Sequence, residues 1–293
     1  DGDEIWDVPG LEKYHGQKIN LTEALTREAN QAMEVAVNEE KPFYLYLSHY
    51  TVHAPWEEDR RFYQKYLDQG LDEFSAMRAS MIESMDHSLG DVLAKLEELG
   101  IEENTIVVFM SDNGAPKQVA LNKPLRGHKL TPYEGGVRVP MIVKWPGVST
   151  AGSVCNQYVM IDDVFPSFLE MAGVPLTNTD LDGKSWAPLV KGESIESEDR
   201  AIFWHFPHTY DQYPYSSIRQ GKWKLIYLHT DRTIELYDLT EDISEEQNLA
   251  SQHPEVVKEL AERLTNYLKE ADAGMPLDKQ TGKVVEYPTE IIM

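Results

Sequence analysis

Three polar side chains sit where loops leave apolar runs, and a fourth lies in a basic stretch. Asp112 and Asn113 belong to Ser-Asp-Asn-Gly, directly after the β-branched run NTIVVFM, so a carboxylate and an amide carbonyl stand just beyond an expected strand end. Two such oxygens suit a hard divalent cation such as Ca²⁺ and suit zinc poorly, because zinc prefers His and Cys. The same residues are also ordinary turn chemistry. His53 lies in the loop from His49 to Trp56, held extended ahead of Pro55. Lys129 falls in the one basic stretch of an acidic chain. Between Gly114 and Val148 stand Lys117, Lys123, Arg126, Lys129, Arg138 and Lys144, opposed only by Glu134. Such a stretch either holds a small anion or solvates a loop.

The elements that must position these groups follow from hydrophobic periodicity. Residues 20–39 predict an amphipathic helix with Leu21, Leu25, Ala29, Ala32 and Ala36 inward, and with Asn20 and Glu23 as a capping pair. PFYLYLSHY predicts a strand buried on both faces. Residues 72–99 predict the strongest helix, with a stripe of Phe74, Met77, Met81, Met85, Leu89, Val92, Leu96 and Leu99, stopped by Gly100. The run NTIVVFM is the next strand. VRVPMIVKWPG is a third apolar run, and IDDVFPSFLEMAG predicts a helix. Helix followed by buried strand, twice, predicts an α/β fold with a mostly parallel sheet flanked by helices, and ligands in such folds bind beyond the carboxyl ends of the strands. After about residue 198 the texture changes. Residues 215–239 alternate like antiparallel strands, with turns at Gln220-Gly221 and Thr230-Asp231. A helix at 254–270 turns Val256, Val257, Leu260, Leu264 and Leu268 inward. The expected organisation is a larger α/β domain over 1–198 and a small α+β module with an antiparallel sheet over 199–293.

Composition removes several function classes. With 41% apolar residues, 293 residues can bury a sizeable core. No run approaches the roughly 18 apolar residues of a membrane helix. A net charge of −23 argues against nucleic acid or an anionic membrane as partner. Cys155 is the single cysteine, which excludes an internal disulfide and a Cys-rich zinc site.

In combination, the motifs become specific. His-x-Pro after one strand, Ser-Asp-Asn-Gly after the next, then RGHKLTPYEGGVRVPMIVKWPG in that order resemble the formylglycine-dependent sulfatases of the alkaline-phosphatase-like superfamily. LTREA, PFYLYLSHYTVHAPW, SIRQGKWKLI and ELYDLTEDISEEQNLA extend the resemblance over positions about 20–270. The resemblance implies Asp112 and Asn113 as ligands of a divalent cation, most commonly Ca²⁺. It implies that His53 and Lys129 act on the sulfate group, with Lys129 near the bridging ester oxygen, and that Glu134, Gly135, Gly136 and Arg138 shape the loop carrying Lys129. His128 and Arg126, with His205 and His208 of WHFPHTY, are the implied contacts to the rest of the substrate, a sulfated small molecule or glycan. A periplasmic or secreted setting is implied by the resemblance alone.

One departure stands out. The family's nucleophile comes from a Cys- or Ser-x-Pro-x-Arg motif whose first residue becomes formylglycine, and no such motif occurs in these 293 residues. Cys155, in SVCNQYV, lacks the following Pro and Arg. The expectation is a C-terminal portion of a sulfatase, inactive alone, with formylglycine in a missing N-terminal segment. Two alternatives stay open: a phosphatase or phosphonate hydrolase of the same superfamily, and a non-catalytic binder of sulfated glycans.

Overall fold

The computed structural model describes residues 8–118, 122–177, 180–195, 200–210 and 213–292. Its contacts divide the chain into two compact units, Asp1–Ile106 and Val107–Met293, so the boundary expected near residue 198 lies inside the second unit.

In the first unit, α1 (Leu21–Asn38) begins where Asn20 accepts a hydrogen bond from Thr22 N at 2.9 Å. Glu23 does not complete a capping box. It pairs instead with Arg27 at 2.5 Å. The buried face of α1 is Thr22, Ala24, Thr26, Ala29 and Met33, rotated from the expected one, and Ala32 is exposed. The reason lies in the partner helix. A short helix α2 (Tyr63–Asp68) leads to α3 (Glu73–Glu98), which buries Ser80, Ser84 and Ser88 beside Ala76 and Met81. Small hydroxyl residues meet across the helix pair, and Thr26 Oγ1 lies 2.6 Å from Ser88 Oγ. Hydrogen bonding between side chains therefore decides the interface, which apolar periodicity does not register. Gly100 ends the helix at φ +68°, as expected. The segment PFYLYLSHY is extended but has no paired strand among the described residues. Leu45, Leu47 and His49 are half-buried on one side, while Tyr44 and Tyr46 are 73% and 77% exposed on the other. The expected burial on both faces is not found, because neither edge is paired here.

In the second unit, β1 (Val107–Met110) and β2 (Met141–Lys144) pair antiparallel, Val107 opposite Lys144 and Met110 opposite Met141. No parallel strand pair occurs among the described residues. Between these strands lies the one-turn helix α4 (Glu134–Val137). Helices α5 (Val164–Met171) and α6 (Ala187–Val190) follow, anchored by the buried Asp163 carboxylate, which takes both Arg200 Nη atoms at 2.6 and 2.8 Å. The C-terminal sheet has four strands in the order β3 (Ala201–Phe206), β4 (Tyr215–Gln220), β5 (Trp223–Leu228), β6 (Thr233–Asp238), all antiparallel. Strand β3 was not foreseen, and the first turn is Gly221-Lys222, one residue later than expected, with Gly221 at φ +55°. Helix α7 (Pro254–Glu270) lays Val257, Leu260, Ala261, Leu264 and Leu268 onto Ile218, Leu225 and Leu236. On the other face, Ile226, Tyr237 and Leu239 pack with Tyr133, just before α4. The sheet is thus covered by α7 on one side and the Lys129-bearing segment on the other. A last turn, α8 (Pro288–Ile291), closes the chain. Among the described residues no helix is long and apolar enough to cross a membrane.

Candidate active site

The loop after β1 is sewn to the loop carrying Lys129 by main-chain bonds. Gly114 N donates to Gly136 O at 3.0 Å, Lys129 N to Ala115 O at 2.9 Å, and Gly135 N to Arg126 O at 2.7 Å. Asn122 adds a clamp, accepting from Ala115 N and donating to Ala115 O and Gly127 O at 3.1–3.2 Å. Approach this close requires glycine. A Cβ on Gly114 would stand 1.8 Å from Gly135 O, and one on Gly136 would stand 2.3 Å from Thr131 O. Directly after Lys129, Leu130 has φ +77°, a left-handed conformation rare for a branched residue. It is held because buried Thr131 accepts from His128 N and donates to His128 O.

Under this loop lies a buried charge cluster. Glu134 and Lys224 are nearly or fully buried and pair at 2.9 Å, and Lys224 reaches Glu245 at 3.0 Å. Arg138 and Arg219 approach Glu134 at 3.4 and 3.6 Å, and Glu134 N donates to Glu245 Oε2 at 2.7 Å. Burial alone would lift the Glu134 carboxyl, but Lys224, Arg219 and Arg138 outweigh it and hold it below the usual carboxylate range. Glu245 goes the other way: burial raises it, and Lys224 offsets only part. The loop carrying Lys129 is therefore fixed from beneath by side chains of β4, β5 and the turn after β6. Sequence reading missed Lys224, Arg219 and Glu245. The available signal was a lysine inside the apolar run WKLIYL, which must find a carboxylate if that strand is covered on both faces.

Asp112, Asn113, His128 and Lys129 thus share one loop cluster in the second unit. Asp112 is exposed, Lys129 and His128 half-buried. His128 Nδ1 donates to Lys129 O at 2.9 Å, and His128 lines a cavity of about 640 Å³ with Lys117, Lys123, Arg126, Glu245 and Glu246. Arg126 anchors the loop. Its guanidinium donates to Tyr237 Oη, Glu245 O and Tyr133 Oη at 2.8–3.1 Å and stacks 3.8 Å over the Tyr133 ring. In His205, Nδ1 meets Ser216 Oγ at 2.8 Å and Nε2 meets Gly274 O at 3.2 Å. His208 is exposed, edge-on to Phe206. His53 belongs to the first unit and is exposed, with Nδ1 donating to Ala54 O at 2.6 Å. His49, also there, meets Ser88 Oγ through Nε2 at 2.9 Å and is pushed down by burial.

The donor set tests the cation expectation. Asp112 Oδ1 accepts from Asn113 N at 2.8 Å, and Asn113 Nδ2 donates to Gly114 O at 3.0 Å, which leaves Asp112 Oδ2 and Asn113 Oδ1 as acceptors. Oxygen donors fit a hard cation. Among the described residues no group of three His, Cys, Asp or Glu could hold a metal, so these two atoms supply only part of a shell that takes about six to eight oxygens for Ca²⁺.

An α/β chain that sets Asp-Asn after one strand and a lysine loop against it has the scaffold of the alkaline-phosphatase-like hydrolases. The Sulfatase family model matches residues 2–174, and that for the N-sulphoglucosamine sulphohydrolase C-terminal region matches 128–271; the chain belongs to the sulfatase family. It is 35% identical to a sulfatase of Formosa agariphila over 92% of this chain and 52% of that protein. It is 29% identical to the N-acetylgalactosamine-6-O-sulfatase of Bacteroides thetaiotaomicron, over 84% of this chain and 50% of that one. The chain spans about half the length of these curated relatives. A crystal structure of Ps i-CgsB in complex with k-i-k-neocarrahexaose superposes with a TM-score of 0.76 at 28% identity, over 84% of this chain and 54% of that one.

Proposed function

We propose that these residues form the leaving-group side and part of the cation cage of a hydrolase that cleaves sulfate esters of glycans. The observation that carries the reading is the bond from Lys129 N to Ala115 O, which joins the lysine loop to the Asp112–Asn113 loop. Lys129 donates to the bridging ester oxygen as the sulfur–oxygen bond breaks, where charge develops only in the transition state. Asp112 and Asn113 would hold part of the shell of a divalent cation, which would supply positive charge to the sulfate group. His128, half-buried beside Lys129, and the exposed His208 are the side chains proposed to touch the sugar. The glycan class is supported by the names of the relatives and by the neocarrahexaose complex.

These 293 residues contain no Cys- or Ser-x-Pro-x-Arg motif, so the purified chain should not hydrolyse an aryl sulfate, with or without added calcium. Joined to a sulfatase segment that carries the motif in oxidised form, it should do so. In that polypeptide Lys129→Ala should lower kcat by roughly two to four orders of magnitude with little change in KM. Calcium-dependent turnover by the chain alone, or an unchanged kcat in Lys129→Ala, refutes the assignment.

A further inference from the structure

On the face of the C-terminal sheet that α7 covers, hydrogen bonds run in one direction through two histidines and a serine. His205 on β3 stands opposite Ser216 on β4, and His229 follows directly after β5. Gly274 O lies 3.2 Å from His205 Nε2, Ser216 Oγ lies 2.8 Å from His205 Nδ1, and His229 Nε2 lies 2.8 Å from the same Oγ. A carbonyl oxygen can only accept, so neutral His205 carries its proton on Nε2. Its Nδ1 is then an acceptor, which takes the Ser216 hydroxyl proton, and Ser216 Oγ accepts from His229 Nε2–H. The chain ends on His229 Nδ1, a lone pair that is buried without a partner among the described residues. Ser216 and His229 are fully buried, whereas His205 is half-buried.

This order holds only while both rings are neutral. A second proton on His205 turns its Nδ1 into a donor. Ser216 Oγ would then face two donors, and its own proton would be left without an acceptor. Moving the His229 proton to Nδ1 instead would strand that N–H in the interior. Either arrangement leaves a buried donor unpaired, which is strongly unfavourable. The neighbouring groups do not offset the added charge. His208 acts on His205, and His205 acts on His229, each opposing a further positive charge. Tyr227, its ring 4.9 Å from that of His229, donates its hydroxyl proton to Glu286 O; the Glu286 carboxylate is held by Arg232 at 3.0 Å, and Tyr267 of α7 is stacked on Phe203. Burial, the largest influence on His205, outweighs the Gly274 carbonyl and lowers its pKa. Its folded pKa thus lies below the unfolded one, so the arrangement is stable above about pH 6.5 and weakens as pH falls. Being half-buried, the charged ring can turn to water, which frees Gly274. We infer that His205, Ser216 and His229 form a pH-sensitive latch that holds the segment after α7 to the sheet when neutral and releases it when His205 is protonated.

The test reads the imidazole nitrogen NMR signals and amide hydrogen exchange of the full chain. At about pH 7.5 both histidines should show the Nε2–H tautomer. The amides of Ala273 and Val285 close the segment through Leu268 O and Pro276 O at 2.9 Å. Between about pH 7.5 and about pH 5 they should lose protection about tenfold or more, after correction for intrinsic exchange rates, in step with the His205 titration. His205→Gln, which takes up no proton in this range, should give the same protection at both ends of it. Ser216→Ala removes the hydroxyl proton that protonation strands, so His205 should titrate about one unit higher. A serine that only packs would leave that titration where it is. An Nδ1–H tautomer for either ring at neutral pH, unchanged protection of Ala273 and Val285 on acidification, or a His205 titration unaltered by Ser216→Ala overturns the latch. If Ser216→Ala fails to fold, the tautomers and the acid response of the native chain decide.

Discussion

Replacing Lys224 by Met removes the one cation shared by two buried carboxylates. Glu134 would keep Arg138 and Arg219 at 3.4 and 3.6 Å, whereas no other salt bridge reaches Glu245 among the described residues. Breaking a buried pair from one side costs about 3–5 kcal/mol, because the remaining charge stays out of water. The loss should be local, so amide hydrogen exchange of Leu225, Ile226 and Gly135 is the suitable assay. The sign of the pH effect differs between the two acids. Glu134 is held low in the folded chain, so its contribution is present above its unfolded pKa and is lost as pH falls through the folded value. Glu245 is raised, so its contribution is greatest below the unfolded pKa and is lost as pH rises through the folded value. Without Lys224 the Glu245 behaviour dominates, and the penalty should shrink as pH falls and that carboxyl takes up a proton. Adding Glu245→Gln to Lys224→Met should recover about 2 kcal/mol or more. A single-variant loss below about 1 kcal/mol, or no recovery in the double variant, would refute the argument that the cluster holds the loop.

Gly114→Ala should destabilise the second unit by about 1–3 kcal/mol and shift the amide signals of Lys129 and Gly135, since its Cβ would collide with Gly135 O. Arg200→Met should cost about 3–5 kcal/mol in urea unfolding by leaving the buried Asp163 carboxylate without its cation. His229 is buried and pushed down to about 3, with His205 adding to the effect. It takes up a proton when the chain unfolds below about pH 6.5, so folded stability should fall by roughly 1.4 kcal/mol per pH unit below that value. His229→Gln should flatten this slope in unfolding curves recorded from pH 7 to 4.

Period and punctuation in the sequence determined much of the architecture. Asn20 and Gly100 mark helix ends by local backbone chemistry, and the alternation of residues 215–239 reads as strands because one residue in two must face a core. Asp112 and Asn113 stood out for the same reason, standing where a strand must end, whereas Lys129 stood out by its basic stretch and the motif around it. Three things came only from tertiary structure. The face of α1 was set by hydroxyls of α3, which hydrophobic periodicity does not weigh. Arg126 and His205 had the types of ligand-binding residues, but whether their donors are free depends on neighbours more than 60 residues away, Tyr237 and Gly274 among them. The buried triad of Glu134, Lys224 and Glu245 joins residues up to 111 positions apart. Charge is written locally in a sequence, whereas its desolvation and pairing exist only once distant segments have folded against each other.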